Sequence, residues 1–458
     1  MLANRHELSK PTKGSGIILY IIEALTTDAL SSIMPMRTNM CQGQDRIGDH
    51  MKSFNLKLAS VIACLSTLCA PSALAQDWSQ WRGDDHDGKV SGFTAPELWP
   101  SNLKLSWKAT VGEGDSSPAL LNGKLFVFAR QGNQEIIRCL DATSGKEIWR
   151  ATHDSIELKG AARSHSGPRS SPAVADGKVV TLGVAGILTC LDTDSGKVLW
   201  RKNEFPDDHP AYYTAASPLI VDGMCIAQLG GKQSGAIIAY DLNTGRELWR
   251  WEGDSPAYAS PVMMTVEGNK QVVALTAENV VGISATDGQL LWQTPFSVPR
   301  MSTNSATPVV DGRTVIFSGQ DRGINAVRIE KSNHGYTVEK IWSNNELSTA
   351  FNTPVLNDHL LFGLSHRTNL YCLDTRTGDV LWIDDARHER FGVIVNAGGT
   401  LFALPSNGTL TVYEAIGAQY KQLAQYEVSE SPTYSYPVIS GNRVYIQDQD
   451  SVTAWTIE

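Results

Sequence analysis

Long apolar runs are almost absent from these 458 residues. One stretch, Leu58 to Ala70, is uncharged and mostly apolar, and it lies close to the N-terminus. No later segment is long and apolar enough to cross a bilayer as a helix, so the body of the chain is expected to have no transmembrane segment. Basic clusters are missing as well. The formal charge is −9, and from residue 76 onward 32 basic residues stand against 43 acidic ones, a net of −11. An acidic body without Lys/Arg runs excludes nucleic acid and anionic membrane surfaces as partners. Cysteine is scarce, with seven in all, none adjacent and no CxxC. The ten histidines are scattered without HExxH or paired spacing, so no metal site is expected. No GxSxG marks an activated nucleophile. Asp84-Asp85-His86-Asp87-Gly88 lacks the spaced ligands and distal glutamate of a calcium loop and reads as a solvated turn.

The N-terminal apolar run has the setting of a secretory signal. Met51 is followed by Lys52 and Lys57, then Leu58 to Ala70, then Ala73-Leu74-Ala75 before Gln76. Residues 51–75 are therefore expected to be a signal peptide and the product exported to the periplasm or cell envelope. Lipoprotein anchoring at Cys64 is the less favoured route, because the apolar run before it is very short. Residues 1–50 precede a methionine with its own signal and carry none of the repeats described below, so they are expected to be a disordered upstream mis-start. Beyond the signal four cysteines remain. Cys139, Cys190 and Cys372 each sit two residues before a recurring aspartate, and Cys225 lies in another apolar run. All four read as small core side chains.

What the chain has in abundance is one repeat. Ser117-Pro118 to Trp149 recurs in copies ending LDTDSGKVLW (Leu191 to Trp200), YDLNTGRELW (Tyr240 to Trp249) and LDTRTGDVLW (Leu373 to Trp382). A period of forty to fifty residues rich in short strand-like runs signals a propeller blade. Each copy starts with a small residue and proline, as in Ser171-Pro172, Ser217-Pro218, Ser260-Pro261, Thr307-Pro308 and Thr353-Pro354. An apolar run then reaches a turn such as Asn122-Gly123, Asp176-Gly177, Asp222-Gly223 or Asp311-Gly312. Asn-Gly and Asp-Gly suit type I′ hairpins, which need positive φ at both central residues. A second tight turn follows the aspartate, with Gly145, Gly196, Gly245 and Gly378 at a fixed offset, and a last strand ends at tryptophan.

Trp149, Trp200, Trp249, Trp292, Trp342 and Trp382 mark six blades. A seventh runs from about Phe391 to Tyr426. The eighth begins at Tyr436-Pro437 and has only three strands by Ile457; residues 105–111, which share the outer-strand pattern, are expected to supply the fourth and close the ring. The fold class is therefore all-β, an eight-bladed β-propeller of four-stranded antiparallel blades over 105–458, with 76–104 as an N-terminal segment packing on it. A flat indole at each outer strand fills the gap between twisted sheets without any ligand.

These AxDxxTGxxxW repeats resemble the PQQ-like, quinoprotein alcohol dehydrogenase-like propeller superfamily, which includes the BamB-type outer-membrane assembly proteins. The opening Asp77-Trp78-Ser79-Gln80-Trp81-Arg82-Gly83-Asp84 is similar to the WxQWRG start of exported bacterial members. The resemblance implies the fold; function has to be argued from the site. Its enzyme branch pairs adjacent cysteines against the quinone and holds Ca²⁺ with carboxylate and amide ligands. No adjacent cysteines exist here, no residue matches those calcium ligands, and Glu278-Asn279 reads as a turn. The expectation is an exported, non-catalytic scaffold, a monomer without cofactor, that binds a cell-envelope protein or small polar ligand. The alternatives are a PQQ- and Ca²⁺-dependent dehydrogenase of alcohols or sugars, and a carbohydrate-active or sugar-binding propeller, for which Asp207, Asp208 and Asp254 are the available acids.

The tight turns share one face, and the long connections from one blade's outer strand to the next blade's inner strand share the other. Sites favour long loops on rigid scaffolds. The richest connection is Ala151 to Ser170, with Arg163, His165 and Arg169. Further candidates are Tyr212, Tyr258, Arg300, Asn304, Asn352, His388, Arg390, Tyr434 and Tyr436. Guanidinium forks, amides and tyrosines converging on a funnel suit an anionic or polyhydroxyl ligand or a peptide.

Overall fold

A computed structural model describes residues 77–299 and 303–458. The upstream segment 1–50, the signal at 51–75 and Arg300 lie outside the described residues. The turns act first. Asn122 and Gly123 take φ of 52° and 73°, Asp176 and Gly177 50° and 72°, and Asp222 and Gly223 48° and 73°, which is the double left-handed geometry of a type I′ hairpin. At Asp311-Gly312 the aspartate instead ends its strand, and Gly312 and Arg313 form the turn.

Each hairpin extends into a four-stranded antiparallel sheet, and the described residues form eight of them. In chain order blade 1 spans 119–154, blade 2 173–202, blade 3 219–251, blade 4 262–295, blade 5 309–344, blade 6 355–383 and blade 7 392–427. Blade 8 joins the termini. Strand β2 (Lys104–Thr110) pairs antiparallel with Ser451–Thr456, so the N-terminal strand closes the ring as the repeat count requires. The outer strands run past their tryptophans, however. The one in blade 1 covers Glu147–Asp154, so Ala151 to Asp154 belong to the sheet and the connection proper starts at Ser155.

Blade-to-blade packing accounts for the tryptophans. The indole Nε1 of Trp149 donates to Thr193 O at 2.9 Å, that of Trp200 to Leu242 O at 2.9 Å and that of Trp249 to Ala285 O at 3.0 Å, each in the following blade. Trp107 does the same from blade 8 to Ala142 O at 3.1 Å. The ring lies on the next blade's turn glycine: a Cβ on Gly196 would come within 2.5 Å of Trp149. The repeat aspartate shapes that turn, as Asp192 Oδ1 accepts Ser195 N and Oγ at 2.8 and 2.6 Å. These bonds hold the Asp192 carboxyl below the usual carboxylate range. Trp292 departs from the pattern because blade 5 has a longer outer hairpin, Ile324–Ser332 with Gly335–Asn344. Its indole donates to Gln271 Oε1 of its own blade at 2.6 Å.

The Ser/Thr-Pro dipeptides make a second ring. The amide of Ser117 donates to Ser171 Oγ, Ser171 to Ser217, Ser217 to Ser260, Ser260 to Thr307 and Thr307 to Thr353, all at 2.9 to 3.0 Å. Tyr436 N donates to Ser117 Oγ at 2.8 Å. Blade 7 begins at Phe391-Gly392 without a Ser/Thr-Pro, so the series has its gap between Thr353 and Tyr436.

The N-terminal segment spans that gap by crossing the ring's centre. Trp78 exchanges backbone hydrogen bonds with Leu120 in blade 1, Ser79 O accepts Val174 N in blade 2, and the Gln80 amide makes two bonds to Ile220 in blade 3. Strand β1 (Lys89–Val90) adds parallel to Asn396–Ala397 in blade 7. Between them Arg82, 1% exposed, donates from Nη1 to Thr353 O and Tyr436 Oη, both at 2.9 Å. Its Nη2 reaches Pro354 O and Asp87 O, at 2.8 and 2.9 Å. A buried cation is thus neutralised by carbonyl dipoles, and it ties together the two residues at the edges of the gap.

Candidate functional site

The long connections surround a central funnel of about 590 Å³, within the range of small-ligand pockets. Its base is the Ser/Thr ring, with Ser117, Ser260, Thr307 and Thr353 exposed to it, together with Trp81 from the N-terminal segment. Because residues 78–90 cross the ring beneath, the funnel is closed at that end.

Most of one wall is built by the connection 155–172. A short 3₁₀ helix, Gly160–Ser164, is anchored by a cluster of Leu158, Ala162, Val184 and Tyr213. This anchoring turns His165 and Arg169 into the funnel. Arg169 donates from Nη1 to Tyr212 O and from Nη2 to His165 O, both at 2.8 Å, and Tyr212 N donates to Tyr258 Oη at 3.0 Å. Three successive connections are thereby locked to one another. Burial draws the Arg169 pKa down from its ordinary value, and the guanidinium remains a cation without a carboxylate in hydrogen-bond contact. His165 Nδ1 lies 2.8 Å from Asp115 Oδ2, and that hydrogen bond, with the carboxylate's charge, raises the imidazole pKa.

The adjoining wall is aromatic. Phe351 and Phe391 stack at 4.6 Å, Phe391 meets Tyr434 edge-on at 5.6 Å, and Tyr434 meets His165 edge-on at 4.9 Å. Arg390 lies over the Phe351 ring at 4.8 Å and donates to Gln320 Oε1 at 3.2 Å. Among the described residues, the carboxylate, imidazole and guanidinium groups of the lining are therefore Asp115, His165, Arg169 and Arg390. Two guanidinium groups against one carboxylate give the lining residues a formal positive excess inside an acidic protein, and Glu389 acts on the Tyr434 phenol from outside the lining.

The structure brings His165, Arg169, Tyr212, Tyr258, Arg390, Tyr434 and Tyr436 to this cavity. Arg163 is exposed on the 3₁₀ helix and is not part of the lining. Asn304 is buried, donating to Thr276 O at 2.8 Å and accepting from Arg322 at 2.6 Å, so it joins loops below the surface. Asn352 is buried away from the lining, with its side-chain oxygen unpartnered among the described residues. His388 is paired with Asp384 at 2.7 Å outside the funnel. Sequence reasoning missed Trp81, Asp115, Gln320, Phe351 and Phe391. Phe351 and Asp115 each lie two residues before a Ser/Thr-Pro site, a position that leads into an inner strand and would have been a usable signal.

Loop acids do not meet in the cavity. Asp208 Oδ2 accepts Gln233 N, Ser234 N and Ser234 Oγ, while Asp254 Oδ2 accepts Thr276 Oγ1, Glu278 N and Asn279 Nδ2. Both organise turns. Among the described residues no group of three or more His, Cys, Asp or Glu is placed to hold a metal ion.

Known proteins fall in line with this architecture. Over 421 aligned residues the chain is 22% identical to the outer membrane protein assembly factor BamB of Shewanella oneidensis, covering 85% of this chain and 98% of that one. It is 25% identical to the 1-butanol dehydrogenase (cytochrome c) of Thauera butanivorans over 189 residues, and it spans only 27% of that enzyme. Among solved structures, BamB from Moraxella catarrhalis superposes with a TM-score of 0.59 at 16% identity, over 77% of this chain and 99% of that one. The quinohemoprotein alcohol dehydrogenase of Comamonas testosteroni gives 0.64 at 14% identity, over 86% and 82%. Both superpositions show the propeller fold. The family model of outer membrane protein assembly factor BamB matches residues 132–384, more than half of the chain, and to that PQQ-like family the chain belongs.

Proposed function

We propose that this chain is an exported, non-catalytic propeller of the cell envelope whose funnel binds a partner protein through a short acidic segment. The observation that carries the reading is the lining: Arg169 and Arg390 face one carboxylate, Asp115, which is already held by His165. Burial withdraws the Arg169 guanidinium from water and Arg390 stacks on Phe351, and guanidinium groups favour carboxylates with bidentate geometry. The net negative charge of the chain disfavours such a segment at nonspecific places, which adds selectivity. Near full-length likeness to BamB of Shewanella oneidensis, an outer membrane protein assembly factor by name, supports an assembly role in the envelope. No helix among the described residues is long and apolar enough to cross a membrane.

The quinoprotein alternative requires a Ca²⁺ ligand set, and the funnel does not fit one. Its single carboxylate among the described residues is engaged by a histidine, and the nearby acids Asp208 and Asp254 are saturated by loop donors. A glycosidase needs two acids about 5–10 Å apart at the cavity, and the same lining lacks the second.

Fluorescence anisotropy with a labelled acidic hexapeptide and its lysine counterpart tests the proposal. The acidic peptide should bind, and R390Q with R169Q should weaken it about tenfold or more, the scale of lost hydrogen bonds between charged groups. R163A, outside the funnel, should change nothing. Equal binding of both peptides, or insensitivity to the double variant, defeats the reading. Dye-linked alcohol oxidation after addition of PQQ and Ca²⁺ would favour the dehydrogenase instead.

A further inference from the structure

The N-terminal motif holds two tryptophans with different fates. Trp78 is 1% exposed, bridges Leu120 in blade 1 and has its ring against Gly83, which accounts for it entirely as packing. Trp81 is only partly buried and lies at the base of the funnel. It is not one of the outer-strand tryptophans that dock on a neighbouring blade. It is held rigidly nonetheless, since Tyr436 meets its ring edge-on at 5.7 Å and the Arg82 guanidinium lies 5.6 Å from its centroid. Arg82 is itself fixed by bonds to Thr353, Pro354 and Tyr436. A partly exposed indole braced in this way, at the closed end of a cavity, has the properties of a binding platform.

We propose that Trp81 is a specificity-determining residue of the funnel, the surface on which an aromatic side chain of the bound acidic segment stacks. The inference rests on the funnel reading above and adds the second half of the ligand's chemistry. The walls point the same way, because Phe351, Phe391 and Tyr434 form a continuous aromatic series beside Arg390. Charge fixes the other half: two guanidinium groups in a chain of net −9 select a carboxylate-bearing segment. A funnel of about 590 Å³, closed below by the N-terminal crossing, admits a few residues from one face. The innermost of them meets Trp81. The site is therefore complete only when residues 78–90 are seated across the ring, and the segment that closes the propeller also finishes its binding surface.

Two labelled acidic hexapeptides, identical except for one Phe or Ala, decide the matter with the full exported chain. The wild-type protein should prefer the Phe peptide by about fivefold, the scale of one aromatic pair. W81A should abolish the preference while leaving the Ala peptide's affinity unchanged, and W81F should restore most of it. Retention of the preference in W81A overturns this inference alone, as does an equal loss for both peptides in W81A and W81F. If neither peptide binds the wild-type chain, the funnel reading falls and this inference with it.

Discussion

Two glycines of blade 2 separate backbone strain from blade docking. Gly177 and Gly196 have nearly the same left-handed conformation, φ 72° and 69°. A Cβ on Gly177 would meet nothing within 4 Å, whereas on Gly196 it would lie 2.5, 2.8 and 3.0 Å from three atoms of the Trp149 ring. An L side chain in this region costs roughly 1–2 kcal/mol, partly offset by about 0.4–1 kcal/mol of lost unfolded-state entropy. G177A should therefore cost about 1 kcal/mol. G196A carries the same backbone term plus about 1–3 kcal/mol of overpacking, because the indole is pinned by its bond to Thr193 O and cannot swing away. Its cost should be about 3 kcal/mol. Urea unfolding read by the midpoint at constant m-value measures both. In a W149A background, where the clashing ring is gone, the cost of G196A should fall to that of G177A, a coupling of about 2 kcal/mol. Equal destabilisation by the two single substitutions would refute the claim that the tryptophan–glycine contact joins neighbouring blades.

Removal of the buried guanidinium by R82A should cost about 3 kcal/mol in the same assay. It orphans the carbonyls of Thr353 and Pro354, while the relief of desolvating a cation offsets part of the loss. R82K, with fewer donors, should fall between. The raised pKa of His165 predicts a pH dependence: its charged form is favoured in the folded chain, so the pairing with Asp115 is fully present below about 6.5 and is lost as pH rises through the elevated folded value. Acidic-peptide binding should weaken over that interval, and H165Q should flatten the profile, with Arg169 and Arg390 supplying a constant background. Burial raises the thiol pKa to about 11 at Cys139 and about 12 at Cys190 and Cys372, and Cys225 is fully buried. Peptide mapping after native alkylation should find all four unmodified, with labelling only after denaturation.

The fold was legible because its determinants are local and repeated. Asn-Gly and Asp-Gly set the hairpins, the aspartate and glycine set the outer turn, and one strand too few at the C-terminus called for residues 105–111 at the other end, where the strand runs Lys104–Thr110. Individual site residues were harder to read. Asn304 and Asn352 lie in the same kind of connection as Tyr258 and Tyr434, and only packing shows that both amides are buried, Asn304 on backbone carbonyls, while the phenols face the cavity. The part played by Ser/Thr before proline was also hidden. A small residue there looked sufficient, but the hydroxyl is required because each Oγ accepts the amide of the preceding blade. Trp81 could not be placed from sequence at all, since its position depends on contacts with Tyr436, more than three hundred residues away.

Symmetry gives eight equivalent connections and no reason for a site at any one of them, so function requires departures from the repeat. They concentrate in one sector. Blade 7 lacks the Ser/Thr-Pro start, and in its place stand Arg390 and Phe391, which line the funnel. Blade 8 substitutes Tyr436 for the hydroxyl residue, and its preceding connection supplies Tyr434. Arg82 enters at this gap, joining Thr353 to Tyr436, and sets Trp81 beside them. A broken link in a ring of inter-blade hydrogen bonds weakens the closure of the propeller, and the N-terminal segment restores it with a buried cation. The same substitution places aromatic and cationic side chains where the other blades have small hydroxyls. The gap in the Ser/Thr ring and the most differentiated wall of the funnel are thus one structural feature, and a mutation that returns a hydroxyl to that position, F391S, removes the Phe351–Phe391 stack from the site at the same time.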